Sequence, residues 1–203
     1  MLPKLYAITD RTLVKTTLED EVRLALEAGV RLIQLREKNI SVDEYTRKAL
    51  KMRELTNEYG ALLIINDSVE VCRNSGADGV HLGQSDGDVK AARNLLGTNA
   101  VIGVTAKTVG QALKAAEDGA DYIGSGAVFG TSTKKDAAKM DMARLREITE
   151  ISRIPVYAIG GINSENIALL RGSGVYGAAV VSGIFDGDIE KNVSCLAKEV
   201  QKL

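Results

Sequence analysis

Gln34, Arg36 and Lys38 alternate along one largely apolar segment of the chain. In an extended strand alternate residues share a face, so an amide and two cations converge there. That arrangement suits a phosphate or diphosphate. Two carboxylates, Asp67 and Asp86, each follow a short apolar run. Oxygen donors of this kind suit a hard ion such as Mg²⁺, shared with waters and substrate phosphates. Asp86 taken alone also fits the N-cap of a helix beginning near Gly87 and Asp88. Residues 130–136 offer the hydroxyls of Thr131, Ser132 and Thr133 and the ammonium groups of Lys134 and Lys135. This is phosphate-cradle chemistry without the spacing of a Walker loop. Gly160-Gly161-Ile162 and Val181-Ser182-Gly183 form a further anion candidate, because glycine lets the backbone approach the ligand closely. Two anion sites, one with a metal, imply two phosphorylated ligands.

These residues need elements to position them. Short runs rich in Val, Ile and Leu at 5–10, 32–38, 62–67, 79–83, 101–106, 122–128, 155–160 and 178–184 read as eight strands. Between them lie amphipathic stretches, for example Leu18, Val22 and Leu26, and Val109, Ala112, Leu113 and Ala116. Gly29, Gly119 and Gly172 stand where helix stops are expected. Strand-plus-helix repeats without hairpin signals imply a parallel sheet, and runs apolar on both parities imply strands covered on both faces. No GxGxxG follows the first strand, and polar residues end many strands instead of gathering at one switch point. The expectation is therefore an α/β fold, a single-domain (β/α)8 TIM barrel over residues 1–203. Such barrels act at the C-terminal ends of their strands. That rule selects Gln34, Arg36 and Lys38; Asn66 and Asp67; Gln84 and Asp86; Thr105 and Lys107; Thr131 to Lys135; Gly160 and Gly161; and Ser182 and Gly183.

Composition narrows the classes. The chain has 203 residues, near the lower limit for a complete barrel, with 45% hydrophobic and 26% charged residues. Its 26 basic residues nearly cancel 27 acidic ones, which leaves no basic field for nucleic acid or an anionic membrane. Neither a signal-peptide pattern nor a bilayer-length apolar run occurs, so a soluble, cytoplasmic protein is expected. A homo-oligomer is compatible with this composition. The two cysteines, Cys72 and Cys195, fall in helical segments far apart and read as reduced, structural thiols. The one histidine, His81, reads as a packing or hydrogen-bonding residue of the barrel interior and leaves little room for histidine-based nucleophilic catalysis.

Taken together, these segments resemble the thiamin phosphate synthase family. The matching pieces run in order along essentially the whole chain. They begin with Tyr6-Ala7-Ile8-Thr9-Asp10, Gln34-Leu35-Arg36-Glu37-Lys38 and Ile64-Ile65-Asn66-Asp67. They continue through residues 79–86, 119–124 and 131–136 to Ala158-Ile159-Gly160-Gly161-Ile162 and Val181-Ser182-Gly183-Ile184. The resemblance implies coupling of a hydroxymethylpyrimidine diphosphate to a thiazole phosphate, with Mg²⁺ as cofactor. By that resemblance Gln34, Leu35, Arg36, Glu37, Lys38, Asn66, Thr105 and Lys134 hold the pyrimidine diphosphate. Arg36, Lys38 and Lys134 would be catalytic, Asp67 and Asp86 would carry the metal, and Thr131, Ser132, Thr133, Gly161, Val181 and Ser182 would hold the thiazole phosphate.

Three positions depart from the family pattern: Thr105 where serine is common, Lys107 where histidine is common, and Gly130 where proline often precedes the threonine loop. None removes an expected phosphate or metal contact. The competing readings are a thiazole tautomerase on a similar barrel and a non-catalytic phosphate-ligand-binding barrel. The first needs one phosphate site and no metal diphosphate site. Retention of Arg36, Lys38, Asp67, Asp86 and Lys134 favours the synthase.

Overall fold

The computed structural model describes residues 1–130 and 140–203. Eight parallel strands close in chain order into a barrel. They are β1 (Leu5–Ile8), β2 (Leu32–Leu35), β3 (Leu62–Asn66), β4 (Gly79–Leu82), β5 (Val101–Thr105), β6 (Tyr122–Gly126), β7 (Val156–Ile159) and β8 (Gly177–Val180). The ring closes where β1 pairs with β8, Leu5 opposite Ala178 and Ala7 opposite Val180. Around it lie α1 (Leu18–Glu27), α2 (Val42–Glu58), α3 (Val69–Ser75), α4 (Val89–Leu96), α5 (Val109–Glu117), α6 (Met142–Ile151), the short α7 (Ser182–Phe185) and α8 (Ile189–Val200). After β7 the covering element is one 3₁₀ turn, Ile167–Leu170. No helix among the described residues is long and apolar enough to cross a membrane.

Side chains Thr17, Ser41, Ser68, Asp88, Thr108, Asp141 and Asp188 accept a first-turn N–H at the starts of their helices. Each such cap is worth about 1 kcal/mol. Asp88, not Asp86, caps α4, which leaves Asp86 available to the barrel mouth. Cys72 is buried in α3 and Cys195 is exposed on α8, both unbridged.

Alternation divides the core in two. Outward residues such as Ala7, Ile33, Leu35, Leu63, Ile65, Val80, Ile102 and Ile123 pack beneath the helices. Inward residues Tyr6, Ile8, Leu32, Ile64, Tyr122, Tyr157 and Ala179 fill the barrel. The rings of Tyr6, Tyr122 and Tyr157 meet edge to face at centroid separations of 5.4–5.7 Å, a geometry worth about 0.5–1.5 kcal/mol per pair beyond the area buried. Space for Tyr122 comes from its register partner Gly103, where an added Cβ would overlap the tyrosine ring.

All eight strands end one to four residues earlier than sequence periodicity indicates, and three of these ends bear on the site. β2 stops at Leu35 because the Arg36 N–H turns to Thr9 Oγ1 (3.0 Å) instead of continuing the ladder. Arg36 and Lys38 therefore belong to the loop beyond the strand. β3 stops at Asn66 because Asp67 takes a left-handed conformation, φ +64°. β8 stops at Val180, and residues 182–184, expected as strand, lie in α7.

The floor packing gives a direct test. Gly103→Ala should lose about 1–3 kcal/mol through overpacking against Tyr122. Gly110→Ala, which enters open space in α5, should be neutral or gain up to about 1 kcal/mol. Urea unfolding of both variants checks this, and equal midpoints would contradict it.

Candidate active site

At the C-terminal end of the strands the barrel opens into a cavity of about 550 Å³, within the ordinary size range for small-molecule sites. One side is built by the ends of β2, β3 and β4. Gln34 is buried on the floor and donates to Tyr6 Oη at 2.6 Å. Above it Arg36 and Lys38 reach the cavity. The Arg36 guanidinium is half-buried and paired with Asp10 (3.3 Å), which fixes its direction. Tyr45 from α2 clamps the neighbouring strand ends: its hydroxyl donates to Leu35 O (2.6 Å) and accepts from the Asn66 N–H (3.2 Å).

Two residues of the Gln34 to Lys38 segment face the other way. The Leu35 side chain lies in the layer beneath the helices. The Glu37 carboxylate is fully buried against Lys48 (3.0 Å) and Arg11 (3.4 Å). Alternation that sends Arg36 and Lys38 to the mouth sends these side chains away, so the expectation that they touch substrate fits neither side chain. Glu37 instead braces the loop, since Arg11 also donates to Lys38 O (2.9 Å).

Asn66, Asp67, Gln84, Asp86, Thr105 and Lys107 all line the cavity, as strand-end placement predicts. Asp67 is held by its own N–H donating to His81 O (2.8 Å), and its carboxyl faces that of Asp86. Asp86 Oδ2 accepts from the Gly83 N–H (2.8 Å), and a Cβ at position 83 would displace that carboxylate. Desolvation first, then the facing Asp86, push the Asp67 carboxyl up to about 6, against the opposing pull of Asn66 and Lys38. Among the described residues no group of three or more His, Cys, Asp or Glu gathers at one point. The mouth's acidic centre is a pair.

Across the cavity stand Gly160 and Gly161, with φ of +101° and +68°, and Val181 and Ser182 at the start of α7. A side chain at Gly161 would strike the backbone of Phe129 and Gly130. The strand-eight end thus presents the first turn of a helix, a common phosphate-facing element in such barrels. Thr131, Ser132, Thr133, Lys134 and Lys135 lie outside the described residues.

His81 projects inward, bonding Tyr122 Oη through Nδ1 (3.1 Å) and Thr105 Oγ1 through Nε2 (3.0 Å). Sequence reasoning anticipated a hydrogen-bonding interior residue and overlooked that it also lines the cavity. It also missed Asp10 and Gln111. Asp10 follows β1 and was findable by the same strand-end rule. Gln111 lies on α5 and reaches the cavity, its Oε1 accepting from the Lys107 N–H (2.7 Å), which no strand-end rule detects.

The comparisons with known proteins agree with this geometry. A family profile described as thiamine monophosphate synthase matches residues 5–184. The chain belongs to the thiamine monophosphate synthase family. Among curated relatives, it is 43% identical to a thiamine-phosphate synthase of Caldanaerobacter subterraneus over 98% of this chain and 94% of that one. Identity to the thiamine-phosphate synthase of Clostridium botulinum is 44%, over 98% of this chain and 94% of that protein. Among solved structures, a thiamine phosphate pyrophosphorylase from Pyrococcus furiosus superimposes with a TM-score of 0.88 at 39% identity, covering 98% of this chain and 95% of that one. The family match spans the barrel and every described wall of its mouth.

The raised Asp67 carboxyl sets a pH dependence. Between the unfolded value of 3.8 and the folded value of about 6 the native state binds the extra proton. Stability from this group is therefore greatest below about pH 4 and is lost as pH rises through 6. Asp67→Asn should stabilise the protein at pH 7.5 by about 1 kcal/mol, after allowance for solvent screening at the open mouth. The gain should vanish near pH 4. Calorimetric melts at the two pH values check it, and a gain independent of pH would contradict it.

Proposed function

We propose that this chain is a thiamin phosphate synthase, a transferase that joins 4-amino-2-methyl-5-hydroxymethylpyrimidine diphosphate to 4-methyl-5-(2-phosphooxyethyl)thiazole. The reaction forms a C–N bond and releases diphosphate. The observation that carries this reading is one cavity with two unlike walls, each of a chemistry suited to anions. Arg36 and Lys38 stand beside the Asp67–Asp86 pair on one wall, and Gly160, Gly161 and Ser182 form the other. Family membership and the named relatives support the same reading.

The residues present fit a hard divalent cation. Asp67 and Asp86 are oxygen donors, and the repulsion that raises Asp67 is what a cation between them would relieve. Asp67 and Asp86 would hold Mg²⁺, which would supply positive charge to the diphosphate. Arg36 and Lys38, joined by Lys134, neutralise the charge that grows on the departing diphosphate. The Asp10 carboxylate keeps the Arg36 guanidinium aimed at that position.

Gln34, Asn66 and Thr105 orient the pyrimidine over the tyrosine floor. Gly161, Val181 and Ser182, with Thr131, Ser132 and Thr133, hold the thiazole phosphate so that the thiazole nitrogen faces the exocyclic methylene. That nitrogen already carries a free lone pair, so no general base is required, and holding the two rings together contributes by proximity. A soluble, cytoplasmic setting belongs to the same proposal.

A coupling assay with both substrates tests it. The expected result is thiamin phosphate formation that stops on chelation and on Asp67→Ala, and that falls about 10²–10³-fold in kcat for Arg36→Ala. Folded wild-type protein that makes no product with Mg²⁺ present would overturn the assignment. Mg²⁺ affinity should also be about tenfold weaker at pH 5 than at pH 7, because the metal needs Asp67 ionised. Calorimetric titration of Mg²⁺ at both values measures this.

A further inference from the structure

Beneath the substrate wall runs a continuous series of side-chain hydrogen bonds that the reaction scheme does not use. Gln34 Nε2 donates to Tyr6 Oη (2.6 Å), Tyr6 Oη meets Tyr122 Oη (2.8 Å), and Tyr122 Oη meets His81 Nδ1 (3.1 Å). His81 Nε2 then meets Thr105 Oγ1 (3.0 Å). The series crosses the barrel interior from β2 through β1, β6 and β4 to β5. Gln34, Tyr6 and Tyr122 are almost completely buried. Burial pushes both phenols well above their ordinary range, so each keeps its one proton.

Proton counting gives the series a direction. Tyr6 accepts from Gln34, and the arrangement that leaves no buried hydroxyl proton unpaired has Tyr6 donate to Tyr122. Tyr122 then gives its proton to His81 Nδ1. A neutral imidazole with Nδ1 accepting carries its proton on Nε2, which donates to Thr105. The Thr105 hydroxyl proton is left for the cavity. At the other end Gln34 has given a donor to Tyr6, and its Oε1 remains as an acceptor.

We propose that Gln34, Tyr6, Tyr122, His81 and Thr105 form one directional hydrogen-bond chain that fixes, together, an acceptor at Gln34 and a donor at Thr105. Tyr6, Tyr122 and His81 are thereby positioning residues for pyrimidine selection. The complementary ligand offers an N–H to Gln34 and an acceptor atom to Thr105, a pattern that an aminopyrimidine diphosphate carries. Reversing one link while keeping every proton paired reverses its neighbours, because each phenol has one proton and a neutral imidazole has one. This role rests on the synthase reading, but the chain itself has a readout that needs no turnover.

His81 is the only histidine in the protein, so its two ring nitrogens give unambiguous imidazole ¹⁵N signals. In the labelled wild-type protein the Nε2–H tautomer is expected. Tyr6→Phe, two links from His81, should shift the tautomer population while retaining the packed ring. The same variant should raise KM for the pyrimidine diphosphate about tenfold and leave KM for the thiazole phosphate within about twofold. Thr105→Ser, which keeps the hydroxyl, should retain the wild-type His81 spectrum. An Nδ1–H tautomer in the wild type, or a Tyr6→Phe variant with unchanged His81 signals and unchanged KM, would overturn the proposal. If the wild type makes no thiamin phosphate, the functional reading fails separately and the ¹⁵N spectra still decide the chain.

Discussion

Closure of eight parallel strands is the constraint on which the rest of the molecule depends. It brings the C-terminal ends of all strands to one rim, and residues separated by dozens of positions in the chain become neighbours. Strict alternation then sorts each strand into an outward side chain for the helix layer and an inward one for the cavity. The loop after β2 shows the consequence most clearly. Arg36 reaches the mouth because Glu37 is buried behind it, and Glu37 can be buried because Arg11 and Lys48 meet its charge.

The site carries visible costs. Asp67 adopts a left-handed backbone that non-glycine residues rarely take, and its carboxyl stands against that of Asp86 in a partly desolvated position. Neither feature favours the folded protein at neutral pH. Both become intelligible if the pair must stay close enough to share a cation. The opposite wall relies on glycine for a related reason. Gly160 and Gly161 combine positive φ with close backbone approach, so neither position tolerates an ordinary side chain.

Much of this was legible in the sequence. Eight apolar runs separated by amphipathic stretches are a strong signal, and every one became a strand of the barrel. Polar residues at the ends of those runs, from Gln34 to Ser182, led to the cavity wall. Boundaries were less legible, because a chain leaving a ladder can stay extended and apolar for several residues. Ser182, Gly183 and Ile184 read as strand, yet a turn at Val181 makes them helix α7. Side-chain direction was lost where a motif was taken whole, as with Leu35 and Glu37. The link from Gln34 to Thr105 joins five strands by single contacts, and no local pattern encodes it.

Coupling in one mouth requires two phosphorylated ligands to lie against its opposite walls. A crystal structure of the protein soaked with thiamin phosphate, diphosphate and Mg²⁺ measures this most directly. The account predicts diphosphate between Arg36, Lys38 and the Asp67–Asp86 pair, with the product's phosphate at Gly161 and Ser182. Diphosphate on the glycine wall, or Asp67 and Asp86 without a cation at saturating Mg²⁺, would contradict it.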